Sequence, residues 1–123
     1  MREVRVDGAP APIGPYSQAI VHGDLVFCSG QLGLDPVNGV LAEDAMEQTR
    51  QALNNLDAVL RGAGSSLHRA VKVTMYLTDL SCFSEVNKVY ADFFVHPFPA
   101  RTAVQVSALP KGAAVEIDVV AVR

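Results

Sequence analysis

The chain has 123 residues, of which 50% are hydrophobic and 19% charged, with a formal net charge of -3. That length is enough for one domain with a genuine core. The composition excludes a disordered chain, and the charge argues against a surface that coats nucleic acid. No apolar run approaches the roughly 20 residues that span a bilayer, and Met1-Arg2-Glu3-Val4 has no signal-peptide core, so a cytoplasmic location is expected. Cys28 and Cys82 have neither CxxC nor Cys/His metal spacing and are read as free thiols.

Val4-Arg5-Val6 alternates like a short strand, and Gly8 to Pro15 then breaks all regular structure. This stiff loop delivers Tyr16-Ser17-Gln18 to a second strand, Ala19 to Val21. His22-Gly23-Asp24 turns that strand back into Leu25 to Ser29 as a hairpin. Gly30 ends the apolar run, either as a bulge or as a place where backbone approaches a ligand closely. Asp35-Pro36-Val37-Asn38-Gly39 is a turn, and from Glu43-Asp44 the period becomes helical. Met46, Thr49, Ala52, Leu53, Leu56, Val59, Leu60 and Ala63 form the stripe of a first long helix. Its other face, with Gln48, Arg50, Gln51, Asn54, Asn55 and Asp57, is expected to be solvated.

Ala70 to Leu77 reads as a strand, and Asp79-Leu80-Ser81 opens a second helix through about Phe94, with Phe83, Val86, Val89, Tyr90 and Phe93 inward. His96-Pro97 stops it. Phe98-Pro99-Ala100-Arg101-Thr102 then leads into the alternating run from Ala103 to Ser107. After the turn Pro110-Lys111-Gly112, a last strand puts Val115, Ile117, Val119 and Ala121 on one face and Glu116, Asp118, Val120 and Val122 on the other. The order predicts an α+β fold: a single mixed β-sheet with two long helices on one face. Two helices cover one face only, so self-association is expected to bury the other.

The three histidines, His22, His68 and His96, fall in turns and connections without the spacing of a triad or metal site. Nucleophile elbow, phosphate loop and dinucleotide fingerprint are all missing. Arg101 has two readings: a rigid fork for a small carboxylate, or a solvated arginine at a strand end. Glu116, among β-branched neighbours, is either a half-buried acid that holds a water near Arg101 or an edge-strand residue facing solvent beside Asp118.

Gly14-Pro15-Tyr16-Ser17-Gln18, Ser29-Gly30-Gln31, Asn87 with Tyr90 and Phe93-Phe94, Pro99-Ala100-Arg101, Leu109-Pro110-Lys111 and Glu116-Ile117 resemble the RidA (YjgF, L-PSP) family of reactive-intermediate deaminases. The resemblance runs from about Ala9 to Arg123. It implies a chorismate-mutase-like fold, a homotrimer with sites between subunits, and hydrolysis of 2-imino or enamine acids to 2-oxo acids and ammonia. Arg101 would clamp the substrate carboxylate and Glu116 would position the attacking water. Tyr16, Ser29, Gly30 and Asn87 would line the cleft. Some members carry cysteine where this chain has Ala103, so no thiol acts at that place. No metal or organic cofactor is implied. The alternatives are a single-stranded RNA endoribonuclease, disfavoured by the charge, and a trimer that binds small acids without turnover.

Overall fold

The computed structural model describes residues 1–123. In chain order the elements are β1 (Arg2–Val4), β2 (Ala19–His22), β3 (Leu25–Cys28), β4 (Gln31–Leu32), α1 (Ala45–Gly62), β5 (Ala70–Leu77), α2 (Phe83–Ala91), β6 (Ala100–Gln105) and β7 (Val115–Val122). The strands form one mixed sheet ordered β1-β2-β3-β7-β5-β6, with β4 also on β7. β5 and β6 run parallel across the α2 crossover, and every other pair is antiparallel. Both helices pack on one face. No helix is long and apolar enough to cross a membrane.

Alternation decides which side chains reach the helices. Val115, Ile117, Val119 and Ala121 of β7 join Val73, Met75 and Leu77 of β5 and Val26 of β3 in the core, all essentially inaccessible. From above, α1 contributes Ala52, Leu53, Leu56, Val59 and Leu60, none of them exposed. Asp44 starts α1 by accepting from the Glu47 backbone N–H at 2.9 Å, and Arg61 in the last turn complements the helix dipole. The opposite face of the sheet carries no helix. There Phe27 is 44% exposed, Leu25 38% and Val104 38%, beside half-buried Ile20, Val120 and Val122.

Three expectations change. The first strand lies at Arg2–Val4 rather than Val4 to Val6, because the Gln18 side chain takes over the backbone of Val6: its Oε1 accepts from the Val6 N–H at 2.7 Å and its Nε2 donates to the Val6 carbonyl at 3.1 Å. The second helix is shorter than Asp79 to Phe94; a 3₁₀ turn at Leu80–Cys82 precedes α2, which ends at Ala91, and Phe94 is buried more deeply than Phe93. The polar face of α1 is not all solvated. Gln48 is 4% exposed and Asn55 1%.

These two amides fasten loop backbone to the helix. Gln48 donates to the Ala42 carbonyl at 3.0 Å and accepts from the Ala114 N–H at 2.7 Å. Asn55 donates to the carbonyls of Leu32 at 3.2 Å and Leu34 at 2.9 Å. The loop lies so close that a Cβ on Gly33 would stand 2.5 Å from the Gln48 Cα. Buried donors and acceptors left unpaired are expensive, so each amide fixes the loop where it lies.

Gln18 does the same for residues 6–10, adding a bond to the Pro10 carbonyl at 2.9 Å. Gln18→Leu removes these partners while keeping bulk, and is expected to destabilise the fold by about 2–3 kcal/mol in urea unfolding. A loss within experimental error would show that the loop is held by packing instead.

Candidate functional site

Arg101 sits on the edge strand β6, just after the extended segment that Pro97 and Pro99 impose. In register it stands beside Val73, hence on the helix-covered face, and its head meets α2. Phe83, Asn87 and Tyr90 share one side of α2 because they follow i, i+4, i+7. Arg101 Nη1 donates to Asn87 Oδ1 at 2.6 Å. The guanidinium lies 4.7 Å from the Tyr90 ring centroid and 5.2 Å from that of Phe83. A planar cation held by one amide and two aromatic rings keeps its orientation while the rest of its fork stays available. No acidic side chain forms an ion pair with it.

Around this head is a cavity of about 440 Å³ that Phe94, Phe98 and Pro99 also line. Tyr90 stacks on Phe94 with centroids 4.4 Å apart, and its buried hydroxyl has no partner in the chain. Burial raises the Tyr90 phenol, opposed by the charge of Arg101, so it stays protonated.

Glu116 belongs to β7, which is a central strand and not an edge. It stands opposite Leu32 on β4 and Tyr76 on β5, on the face without helices. A cavity of about 520 Å³ opens beside it, lined by Tyr16, Ser29, Gly30, Leu34 and Lys111 among others. Gly30 is required here for a specific reason: a Cβ would fall 2.5 Å from Glu116 Oε2, in the place of the carboxylate. Burial first, and the nearby Asp118 charge second, raise Glu116 above the usual carboxyl range.

The remaining expected residues have mixed roles. Tyr16 is 52% exposed at the rim, with its hydroxyl accepting from the Ile13 N–H at 3.4 Å. The Ser29 hydroxyl donates to the Ser17 carbonyl at 2.6 Å, which ties it to the hairpin. Asn87 accepts from Arg101 and meets the cavity beside it. Ala103 packs against the core. Burial pushes the Cys28 thiol up to about 12, far from nucleophilic reactivity, and neither cavity is lined by a histidine. No three His, Cys, Asp or Glu side chains are grouped to share a metal ion.

Sequence reasoning missed Lys111 as a lining residue, reading only a turn. Its φ of 60° is unusual for a residue with a Cβ, and that conformation carries it into the wall of the cavity. The larger correction concerns the pair. Glu116 does not lie near Arg101 within one chain, because the sheet stands between them: Arg101 shares the face of Val73 and Val119, and Glu116 the other. A fork and an acid, neither in an ion pair, occupy separate hollows.

The raised Glu116 has a consequence for stability. The native state holds the proton more tightly than the unfolded chain, so stability is lost as pH rises from about 4.5, the ordinary value, through the raised one. Glu116→Gln should therefore melt at the same temperature as the parent or higher at pH 7, with the advantage fading toward pH 4. A variant that melts clearly lower at pH 7 would show that ionised Glu116 has a stabilising partner.

Comparison with known proteins agrees with the fold. The family model described as Endoribonuclease L-PSP matches residues 6–123. The 2-iminobutanoate/2-iminopropanoate deaminase of Bos taurus is 48% identical, over 94% of this chain and 85% of that protein. The crystal structure of RidA from an Antarctic Psychrobacter superposes with a TM-score of 0.97 at 44% identity, covering all of both chains. That of Escherichia coli TdcF with bound serine gives 0.95 at 37%, covering 100% of this chain and 99% of that one. With a family model spanning nearly every residue and a fold shared end to end, the chain belongs to the RidA (YjgF, L-PSP) family.

Proposed function

We propose that this protein assembles as a homotrimer in which the Arg101 hollow of one chain closes against the Glu116 hollow of its neighbour, and that the shared cleft hydrolyses 2-imino and enamine acids. The observation that carries this reading is the separation of the two charged groups onto opposite faces, each beside its own cavity and neither in an ion pair. The apolar patch around Phe27, Leu25 and Val104 supports assembly, since such a face gains by being covered. The relative named as a deaminase and the one holding serine support a small amino-acid-like ligand. A cytoplasmic location belongs to the same reading, and two unbonded cysteines suit a reducing compartment.

The chemistry follows from the parts. Arg101, steadied by Asn87, Tyr90 and Phe83, takes the substrate carboxylate on its free edge. That places the imine carbon toward Glu116, which accepts a proton from water as the water oxygen bonds to carbon. The proton then passes to nitrogen, a second proton moves from the new hydroxyl to nitrogen as the C–N bond breaks and the C=O forms, and ammonia leaves a 2-oxo acid. Apolar walls such as Leu34 and Phe98 suit the short side chains of 2-iminopropanoate and 2-iminobutanoate. These imines also hydrolyse unaided, so orientation plus one acid–base group, the latter worth about 10²–10⁴-fold, suffices. No step requires a metal or organic cofactor.

The family description favours a second reading, cleavage of single-stranded RNA. With a net charge of -3, the chain lacks the excess of basic groups that phosphate binding draws on. A non-catalytic small-acid binder is the third.

Coupling the protein to a purified pyridoxal-phosphate dehydratase separates the three. Faster release of 2-oxo acid, falling by about 10²-fold or more in Arg101→Ala, is expected. Binding without turnover points to the sensor, and RNA cleavage that survives Arg101→Ala to the nuclease. Glu116→Gln should lower kcat by at least about 10²-fold with oxo-acid binding retained. Mass measurement in solution should give three chains, and a stable monomer would leave the shared cleft without a basis.

A further inference from the structure

Glu116 and Asp118 are two residues apart on β7, so both project from the face without helices. Across the sheet, β5 places Tyr76 opposite Glu116 and Thr74 opposite Asp118. The Tyr76 hydroxyl does not bond the acid it stands beside. It reaches diagonally and donates to Asp118 Oδ2 at 3.1 Å. The phenol that stands opposite Glu116 is thereby committed to its neighbour, and the Asp118 side chain is held in place as its acceptor. Within the chain, neither a hydrogen bond nor an ion pair engages the Glu116 carboxylate.

We propose that Asp118, fixed by Tyr76, is a positioning residue for Glu116: it keeps that carboxyl able to retain a proton between taking it from water and giving it to the departing nitrogen. The proposal rests on the deaminase reading and adds to it the group that makes Glu116 a two-way proton carrier. An ordinary carboxyl is almost wholly ionised at neutral pH, so little of it is present as the proton donor. Burial and the Asp118 charge act together in the required direction. Tyr76 stays protonated because burial, Asp118 and Glu116 all disfavour the phenolate, so its bond to Asp118 persists.

The ionisable surroundings of Glu116 are few. Asp118 faces it from β7 and Tyr76 from β5, while Lys111 and Tyr16 line its cavity from the neighbouring loops. Lys111 makes no ion pair with it. Leu32 and Gly30, the closest parts of β4 and its approach, carry no charge. Lys72, further along β5, stands beside Val120 and is bonded to Thr102 Oγ1 at 2.6 Å. Helices α1 and α2 lie on the other face. In the assembled cleft the neighbouring chain's Arg101 would be the further cation, held by substrate carboxylate. Asp118 is therefore the only other carboxylate on this list, and its removal should be visible.

The test pairs a direct titration with a rate profile, on the full chain in its native assembly. The Glu116 carboxyl is followed by carbon NMR against pH in the parent and in Asp118→Asn, which keeps an oxygen for Tyr76 to bond. Asp118→Thr, neutral and suited to a strand, is the second variant if the amide folds poorly. The expected result is that Glu116 titrates at lower pH in the variant. The acid limb of kcat/KM moves down with it, and kcat at neutral pH falls several-fold while KM changes little. An unmoved Glu116 titration overturns the proposal, as does a titration that moves while the acid limb stays. A parent protein that titrates normally but never turns over an imine overturns the deaminase reading itself, a different failure from turnover with an unmoved limb.

Discussion

Consecutive residues of a strand face opposite ways, and in β7 that single constraint divides the molecule. One parity, Val115 to Ala121, supplies the middle of the core. The other parity brings Glu116 and Asp118 to a surface with no helix above it. Because β7 is bordered by β3 and β4 on one side and β5 on the other, it cannot shift register without exposing core and burying acids. The position of Glu116 is thus enforced by the same pattern that stabilises the fold. Gly30 completes the arrangement by leaving room for the carboxylate.

The two charged groups are supported by different means. Arg101 is on an edge strand, where backbone alone would leave a long side chain free, and it gains definition from α2: an amide at 2.6 Å and two ring faces. Glu116 gains definition from the strand itself and from its neighbours' shapes. The first arrangement suits a binding group that must keep its charge. The second suits a group that must change its charge during the reaction.

Much of this was legible in the chain. Period 3.6 from Met46 to Ala63 marked α1, period 2 marked β5 and β7, and the α+β order with both helices on one face followed from their sequence. Gln18, Gln48 and Asn55 were not legible as buried, since helical period separates polar from apolar positions without saying whether a loop backbone will lie against the polar ones. The opposite facing of Arg101 and Glu116 was also hidden. Each strand's alternation is readable alone, but relating two strands requires their register, and in β6 Val104 of the alternating run faces away from the helices while Ala103 packs on the core, so apolar parity alone does not say which face Arg101 takes. Lys111 needed the backbone, because its left-handed conformation and not its residue type puts it in the wall.

The uncovered face combines two properties that pull against each other. Its apolar members, Phe27, Leu25 and Val104, gain from contact with another chain, whereas Glu116 and Asp118 among them lose water on contact. Covering the face therefore drives Glu116 further toward its protonated form unless a cation arrives with the partner. An assembly that brings a guanidinium to the same seam resolves the conflict: the cation compensates the acids when the cleft is empty and turns to the substrate carboxylate when it is filled. On that view, association is part of what sets how tightly Glu116 holds its proton, and an isolated chain would be deficient in the chemistry as well as in the shape of the cleft.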